Sequence, residues 1–237
     1  MILSELFRTL QGEGTYIGVP SIFIRTSTCN LACHFCDTPY TSWWNDGKKQ
    51  TVDHIIDLMY STYEYTKHIV ITGGEPMIQK DIGELTQKLM DNGHVVTIET
   101  NGTVFKEDVR PSLFSVSPKI DNSIPDENNY PSNATYTDNI RRKHIKNNNL
   151  ETLHGFVNSS INYQMKFVIC DDNDLPEIRT IIDTYKIPKE NVFLMPEGFT
   201  REKQRARSLK IAEICKNEGY TFCPRLHVEL WGTKRGV

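Results

Sequence analysis

Apolar, β-branched runs alternate along the chain with stretches whose apolar residues recur at helical spacing. The runs Ser21–Arg25, His68–Thr72, Val95–Thr100, Leu113–Ser117, Gln164–Cys170 and Val192–Met195 predict strands. Between them, Thr51 is placed to cap a helix carrying Ile55, Ile56, Met59 and Tyr63, and Asp81 to cap one carrying Leu85 and Leu89 before an Asn92-Gly93 turn. Asp174–Tyr185 carries Ile178, Ile181 and Ile182 at the same period, and Thr200–Asn217 stops just short of Gly219, a residue suited to a left-handed helix end. Strand followed by helix, repeated about six times, predicts an α/β fold with a parallel sheet and crossover helices. About eight such units close a full barrel, so the expectation is an open, partial TIM-like barrel with its site at the strand ends.

One stretch breaks the rhythm. Asp121–Leu150 is rich in Asn, poor in apolar residues and carries Arg141, Arg142, Lys143, His144 and Lys146, and it reads as a solvated, mobile insertion outside the site. At 237 residues the chain can bury one core unaided, so residues 1–237 are expected to form a single domain. A hydrophobic content of 38%, a charged content of 24% and a formal net charge of -3 leave no surplus of positive charge for phosphates, which argues against direct nucleic-acid binding. No apolar run approaches the roughly 18 residues of a membrane span. The start Met1-Ile2-Leu3-Ser4-Glu5-Leu6 lacks the basic end and long apolar middle of a signal peptide. No membrane association and a cytoplasmic location are expected, and a reducing compartment suits cysteines that form no paired framework. Cys170, Cys215 and Cys223 read as core residues.

The candidate chemistry follows the first of these strands. Cys29-Asn30-Leu31-Ala32-Cys33-His34-Phe35-Cys36 is a Cys-x3-Cys-x2-Cys run. A 4Fe-4S cluster normally takes four cysteine ligands, so a compact triplet leaves one iron open to a small molecule. The alternative is structural zinc, which closes tetrahedrally with four ligands, and His34 inside the triplet cannot readily supply the fourth. After the second strand comes Thr72-Gly73-Gly74-Glu75-Pro76, whose paired glycines let a ligand approach the backbone and expose amide donors to a carboxylate or amino-acid head group.

Triplet and glycine turn together resemble the radical S-adenosylmethionine superfamily over most of the chain. The resemblance implies a triplet-bound 4Fe-4S cluster that chelates the methionine amino and carboxylate groups of S-adenosylmethionine. It also implies reductive cleavage of the bond to the 5' carbon and hydrogen abstraction from substrate by a 5'-deoxyadenosyl radical. A narrower resemblance is carried by Leu10-Gln11-Gly12-Glu13-Gly14, Pro20-Ser21-Ile22-Phe23-Ile24-Arg25, Cys36-Asp37-Thr38-Pro39-Tyr40 and Leu226-His227-Val228-Glu229-Leu230-Trp231-Gly232. These segments look like the 7-carboxy-7-deazaguanine synthase family. That family's activity is a carbon-nitrogen lyase reaction, the ring contraction of 6-carboxy-5,6,7,8-tetrahydropterin to 7-carboxy-7-deazaguanine with loss of ammonia, in the biosynthesis of 7-deazapurines such as queuosine. The resemblance further implies one cluster per subunit, magnesium, an external electron donor such as flavodoxin, and a homodimer.

Carried over position by position, the resemblance makes Cys29, Cys33 and Cys36 the cluster ligands and Thr38 the magnesium ligand. Leu10, Gln11, Gly12, Glu13, Arg25 and Thr72 fall at substrate contacts. Arg25 is expected to grip the substrate carboxylate through a charge-assisted fork, with a surface ion pair as the rival reading. Phe35, Cys36, Asp37, Gly74, Ser117, Pro118, Lys119, Met195, Pro196, Glu197 and Gly198 fall at contacts to S-adenosylmethionine, and Glu99, at the end of another predicted strand, is expected to hydrogen-bond the cofactor ribose or the substrate. His227 is the expected catalytic proton donor or acceptor for the ammonia-loss stage. The chain departs from the family pattern at Thr28, where many members have Gly, at Met195-Pro196 in place of Gln-Pro, and in the length of the 121–150 insertion. The rival readings are a glycyl-radical-enzyme activase, which needs a protein-docking surface instead of a pterin pocket, and a noncatalytic metal-binding module.

Overall fold

The computed structural model describes residues 1–237. Its strands are β1 (Ile2–Leu10), β2 (Pro20–Thr26), β3 (Lys48–Lys49), β4 (His68–Gly73), β5 (Val95–Thr100), β6 (Leu113–Val116), β7 (Tyr163–Ile169), β8 (Val192–Pro196) and β9 (Thr221–Phe222). They form one open sheet in the order β3-β1-β2-β4-β5-β6-β7-β8-β9. From β2 to β9 every neighbouring pair is parallel, whereas β1 runs antiparallel to both β2 and β3. All six strands expected from the sequence are present, each within one residue at either end.

The helices are α1 (Pro39–Ser42), α2 (Val52–Thr62), α3 (Ile82–Asp91), α4 (Asp138–Asn147), α5 (Leu153–Asn158), α6 (Asp174–Tyr185), α7 (Arg201–Glu218) and α8 (Leu226–Trp231). Thr51 caps α2 by accepting from the His54 amide, and Thr200 caps α7 by accepting from that of Lys203. Gly219 ends α7 at φ 80°, in the left-handed region that glycine enters without steric cost. Asp81 stands at the N-cap of α3 without a capping bond; its carboxylate faces the Met1 nitrogen at 3.2 Å instead. No helix is long and apolar enough to cross a membrane.

The pattern of strand then helix fails in two places. β1 was not expected as a strand, because only Phe7 of its nine residues is fully buried, so its apolar alternation is weak. Between β5 and β6 there is no helix. Buried Val109 and half-buried Phe105 cover the sheet there, the Phe105 ring meeting Phe156 of α5 edge-on at 4.9 Å. A helix from the next crossover thus covers what the missing one would.

The Asn-rich insertion also differs from expectation. It contains α4, and His144 on that helix is 1% exposed. Cys215 and Cys223 are buried as expected, but Cys170, just beyond β7, is only half-buried.

Candidate active site

Side chains alternate across each strand, and the alternation divides core from site. Ile22 and Ile24 of β2, Ile69 and Ile71 of β4, Ile98 of β5, Phe167 of β7 and Leu194 of β8 pack into the main hydrophobic core. Their neighbours Phe23, Arg25, Thr72, Glu99, Lys166, Val168 and Met195 turn the other way and line one cavity of about 610 Å³. The loops leaving the C-terminal ends of these parallel strands close over it.

The cysteine loop leaves β2. It begins at Thr28, whose φ of 83° is unusual for a β-branched residue. The turn is held because the Thr28 amide donates to the Thr41 carbonyl at 2.8 Å and its own carbonyl accepts from Glu75 N at 2.9 Å. Cys29, Cys33 and Cys36 all line the cavity, and no other cysteine does. Burial raises all three thiols, Cys33 to about 12, with the Glu75 charge adding to the effect at Cys29 and that of Asp37 at Cys36. Such thiols stay protonated at neutral pH unless a cation replaces their protons. No three His, Cys, Asp or Glu side chains converge on one point as the ligands of a single ion would. A cube offers each thiolate a different iron, so three thiols lining one cavity with no fourth cysteine there fit a cluster better than zinc.

The loop is braced on several sides. Asn101 Nδ2 donates to Asn30 Oδ1 at 3.1 Å, and Trp43 Nε1 donates to the Cys33 carbonyl at 3.2 Å. The insertion supplies three more contacts. His144 Nδ1 accepts from the Ala32 amide at 3.0 Å, Asn147 Nδ2 donates to the Asn30 carbonyl at 2.9 Å, and His34 Nε2 lies 2.7 Å from the Asn122 carbonyl. The segment read as a free loop is therefore part of the wall that holds the triplet.

Close backbone approach explains the paired glycines. Gly73 sits at φ 137°, and a Cβ there would lie 2.0 Å from the Thr26 carbonyl oxygen. A Cβ on Gly74 would lie 2.2 Å from the Thr28 carbonyl oxygen. The next residue, Glu75, is fully buried and accepts from Asn101 N at 2.6 Å, Thr100 Oγ1 at 2.7 Å and Met77 N at 2.9 Å. Burial pushes its carboxyl up despite those bonds.

The floor of the cavity is a charge network that sequence reasoning only half found. Lys166, 1% exposed in mid-β7, lies 2.9 Å from Glu13 and 2.6 Å from Glu99. Arg225 pairs with Glu13 at 3.0 Å and with Asp37, and donates to the Gly198 carbonyl at 3.0 Å. Burial alone would raise Glu13, but Lys166 and then Arg225 outweigh it and hold the carboxyl far below its usual range. Asp37 is likewise lowered, the Arg225 guanidinium overcoming burial. Gln11 joins the network through Nε2 to Glu99 at 3.2 Å, while its Oε1 accepts from Gly12 N at 2.7 Å. Lys166 and Arg225 were both missed. The available signal for Lys166 was a polar pair, Gln164 and Lys166, two apart inside an otherwise apolar strand.

Among the expected site residues the cavity gathers Leu10, Gln11, Gly12, Glu13, Arg25, the three cysteines, Phe35, Asp37, Thr38, Thr72, Gly74, Glu99, Ser117, Lys119, Met195, Pro196, Glu197, Gly198 and His227. Pro118 is buried and does not line it. Arg25 lies 2.8 Å from Glu5 with its guanidinium 5.3 Å from the Phe7 ring, so an ion pair holds it at the cavity wall. Lys119 folds back on Ser117 Oγ at 2.6 Å, and Glu197 is paired with Arg207. His227 Nε2 is 4.0 Å from Glu13, and burial lowers the imidazole so that it is neutral near pH 7. A Cβ on Gly12 would come within 2.1 Å of His227 Nδ1, so glycine makes room for the ring.

Comparison with known proteins adds to this geometry. Residues 23–163 match the Radical SAM superfamily model. Over 236 residues the chain is 41% identical to the 7-carboxy-7-deazaguanine synthase of Halobacterium salinarum, covering 97% of this chain and 90% of the relative. It is 38% identical to the enzyme of that name from Rhodopirellula baltica, covering 100% and 89% respectively. The crystal structure of QueE from Escherichia coli superposes with a TM-score of 0.62 at 22% identity over 95% of this chain and 94% of that one, a likeness of fold.

Proposed function

The chain belongs to the 7-carboxy-7-deazaguanine synthase family of the radical SAM superfamily, and from that premise we propose that its cavity contracts 6-carboxy-5,6,7,8-tetrahydropterin to 7-carboxy-7-deazaguanine with release of ammonia. The observation that carries this reading is that the three thiols of the triplet and the Gln11–Glu13 turn line the same cavity. A glycyl-radical activase would use the triplet but has no need for the second feature.

When bound, the 4Fe-4S cluster and S-adenosylmethionine supply a carbon radical that abstracts hydrogen from substrate. This chain's own residues bind, orient and exclude water. Cys29, Cys33 and Cys36 hold the cluster, and the Gly74 turn with Ser117, Lys119 and Met195 to Gly198 accommodates the amino-acid and nucleoside parts of the cofactor. Because Pro196, Gly198 and Gly74 act through backbone, the Met195 departure from the family pattern is compatible with that role. Gln11 and Glu13 match the donor and acceptor edge of a pterin, and Arg25 faces its carboxylate with one side of the guanidinium held by Glu5. Thr38 would hold magnesium through its hydroxyl, and the ion would supply positive charge that orients the substrate carboxylate. Neutral His227, 4.0 Å from Glu13, would donate or accept a proton at the ammonia-loss stage.

The reaction needs a small-molecule substrate and a reductant. We read the reductant as a protein such as flavodoxin, the assembly as a homodimer, residues 1–237 as one domain, and the location as cytoplasmic, where six unpaired cysteines would stay reduced. Anaerobic incubation of the iron-loaded protein with the carboxypterin, S-adenosylmethionine and dithionite tests the activity. A product with the mass of 7-carboxy-7-deazaguanine, lessened by omitting magnesium and in Thr38→Ala, is expected. Unchanged pterin rejects the activity, and product insensitive to both changes rejects the magnesium assignment.

A further inference from the structure

The helix that braces the cysteine loop has a second face. Inward, His144 and Asn147 of α4 bond to Ala32 and Asn30, both between Cys29 and Cys33. Outward, the same helix exposes Arg142, Lys143 and Lys146, with Ile145 49% exposed among them. Some surface cations elsewhere are paired, as Lys88 is with Glu84 and Arg179 with Glu218, and others such as Lys48, Lys49 and Lys186 are not; these three have no carboxylate within ion-pair distance and stand together on the one helix that braces the cysteine loop. They form a cationic patch on a chain whose net charge is -3. At the start of α4 the patch continues as an aromatic strip. Tyr136 stacks on Tyr130 at 5.7 Å, Tyr130 lies 6.4 Å from Trp43, and the Trp43 indole donates to the Cys33 carbonyl.

We propose that the outer face of α4, edged by Tyr130 and Tyr136, is the docking surface for an acidic electron-carrier protein that reduces the cluster. The proposal rests on the reading of the triplet as cluster ligands. The step is the transfer of one electron, with the carrier oxidised by one, the cluster reduced by one and no proton moved. A helix is about 10–12 Å across, so a carrier seated on this face stands roughly one helix diameter from the cysteine loop. Unpaired cations steer an acidic partner and set its orientation without an ion pair first having to break. Exposed Ile145 and Tyr130, with half-buried Tyr136, supply the apolar and aromatic contacts that an interface centre favours. The length of the insertion then has a reason: its inner edge fixes the loop while its outer face receives the reductant.

The test compares two reductants on the holoenzyme. Dithionite, a small anion, needs no docking surface; reduced flavodoxin is the acidic protein probe. In Arg142→Glu/Lys143→Glu/Lys146→Glu, turnover with dithionite should match the parent, while the KM for flavodoxin and its Kd from calorimetric titration should each rise about tenfold or more. The parent's rate with flavodoxin should fall as salt is raised, and the variant's should not. The milder Lys143→Gln/Lys146→Gln should show the same effects in smaller measure. An unchanged Kd and KM, or equal impairment with dithionite, overturns the proposal. Failure of the parent with dithionite breaks the activity reading instead, and the Kd comparison still decides the docking face.

Discussion

Replacing Lys166 with Met removes the one positive charge that two half-buried carboxylates share and keeps the length and apolar stem of the side chain. Lys166 Nζ lies 2.9 Å from Glu13 and 2.6 Å from Glu99, whose side chains are 16% and 17% exposed. Breaking a buried ion pair by deleting one partner costs about 3–5 kcal/mol. Glu13 retains Arg225 at 3.0 Å and Glu99 retains Gln11 at 3.2 Å, which places Lys166→Met near the lower end, about 3 kcal/mol. For a chain of this size each kcal/mol moves the unfolding midpoint by about 2–4 °C, so the expected loss is about 6–12 °C. The sign of the pH dependence follows from Glu13. Its carboxyl is held below the unfolded value, so its contribution is present above about pH 4.3 and is lost as pH falls further. Lys166→Met relaxes that depression, so the gap between parent and variant should hold from pH 7 to about pH 4.3 and narrow as pH falls from there toward about 2.5. Thermal unfolding of the two anaerobically purified proteins across that range measures it. A gap below about 1 kcal/mol at pH 7, or one independent of pH, refutes the view that Lys166 neutralises the cavity floor.

Thr28→Gly removes the Cβ from a backbone held at φ 83° and should stabilise the protein by about 1 kcal/mol in urea unfolding, a loss of stability being the contrary result. Gly74→Ala puts a methyl group 2.2 Å from the Thr28 carbonyl oxygen, so the cysteine loop must shift. Iron retained after anaerobic loading should drop sharply, and parent-like iron content would count against the close approach. His144 is lowered to about 4, by burial first and then by the Lys119 charge, against an unfolded value of about 6.5. Its contribution is therefore complete above pH 6.5 and erodes as pH falls toward 4, and His144→Asn should show a shallower loss of unfolding free energy over that interval. Equal slopes would mean that His144 charges without cost to the fold.

The strands were legible because parallel strands covered by helices read as β-branched runs, and β2 and β4 through β8 have that character. β1 was not, since a strand buried along little of its length carries Ser4, Glu5 and Arg8 among its apolar residues. The cysteines and glycines carried the site because their chemistry and backbone geometry depend on residue type alone. Lys166 and Arg225 were hidden for the opposite reason. A cation belongs to a cavity only through partners distant in sequence, Glu13 being 153 residues from Lys166 and 212 from Arg225. The role of α4 was hidden similarly: its composition is that of a solvated segment, and a single buried histidine, held by Ala32 and Ser123, anchors it.

The claim on which everything else stands is that three thiolates of this chain leave one corner of a cluster free for the amino and carboxylate groups of S-adenosylmethionine. Electron paramagnetic resonance of the reduced, iron-loaded protein, recorded before and after adding S-adenosylmethionine, tests it directly. The account predicts the signal of a reduced 4Fe-4S cluster that changes on addition of S-adenosylmethionine and is absent in Cys33→Ala. A signal indifferent to S-adenosylmethionine, or anaerobically purified protein carrying zinc on the thiolates, would contradict it.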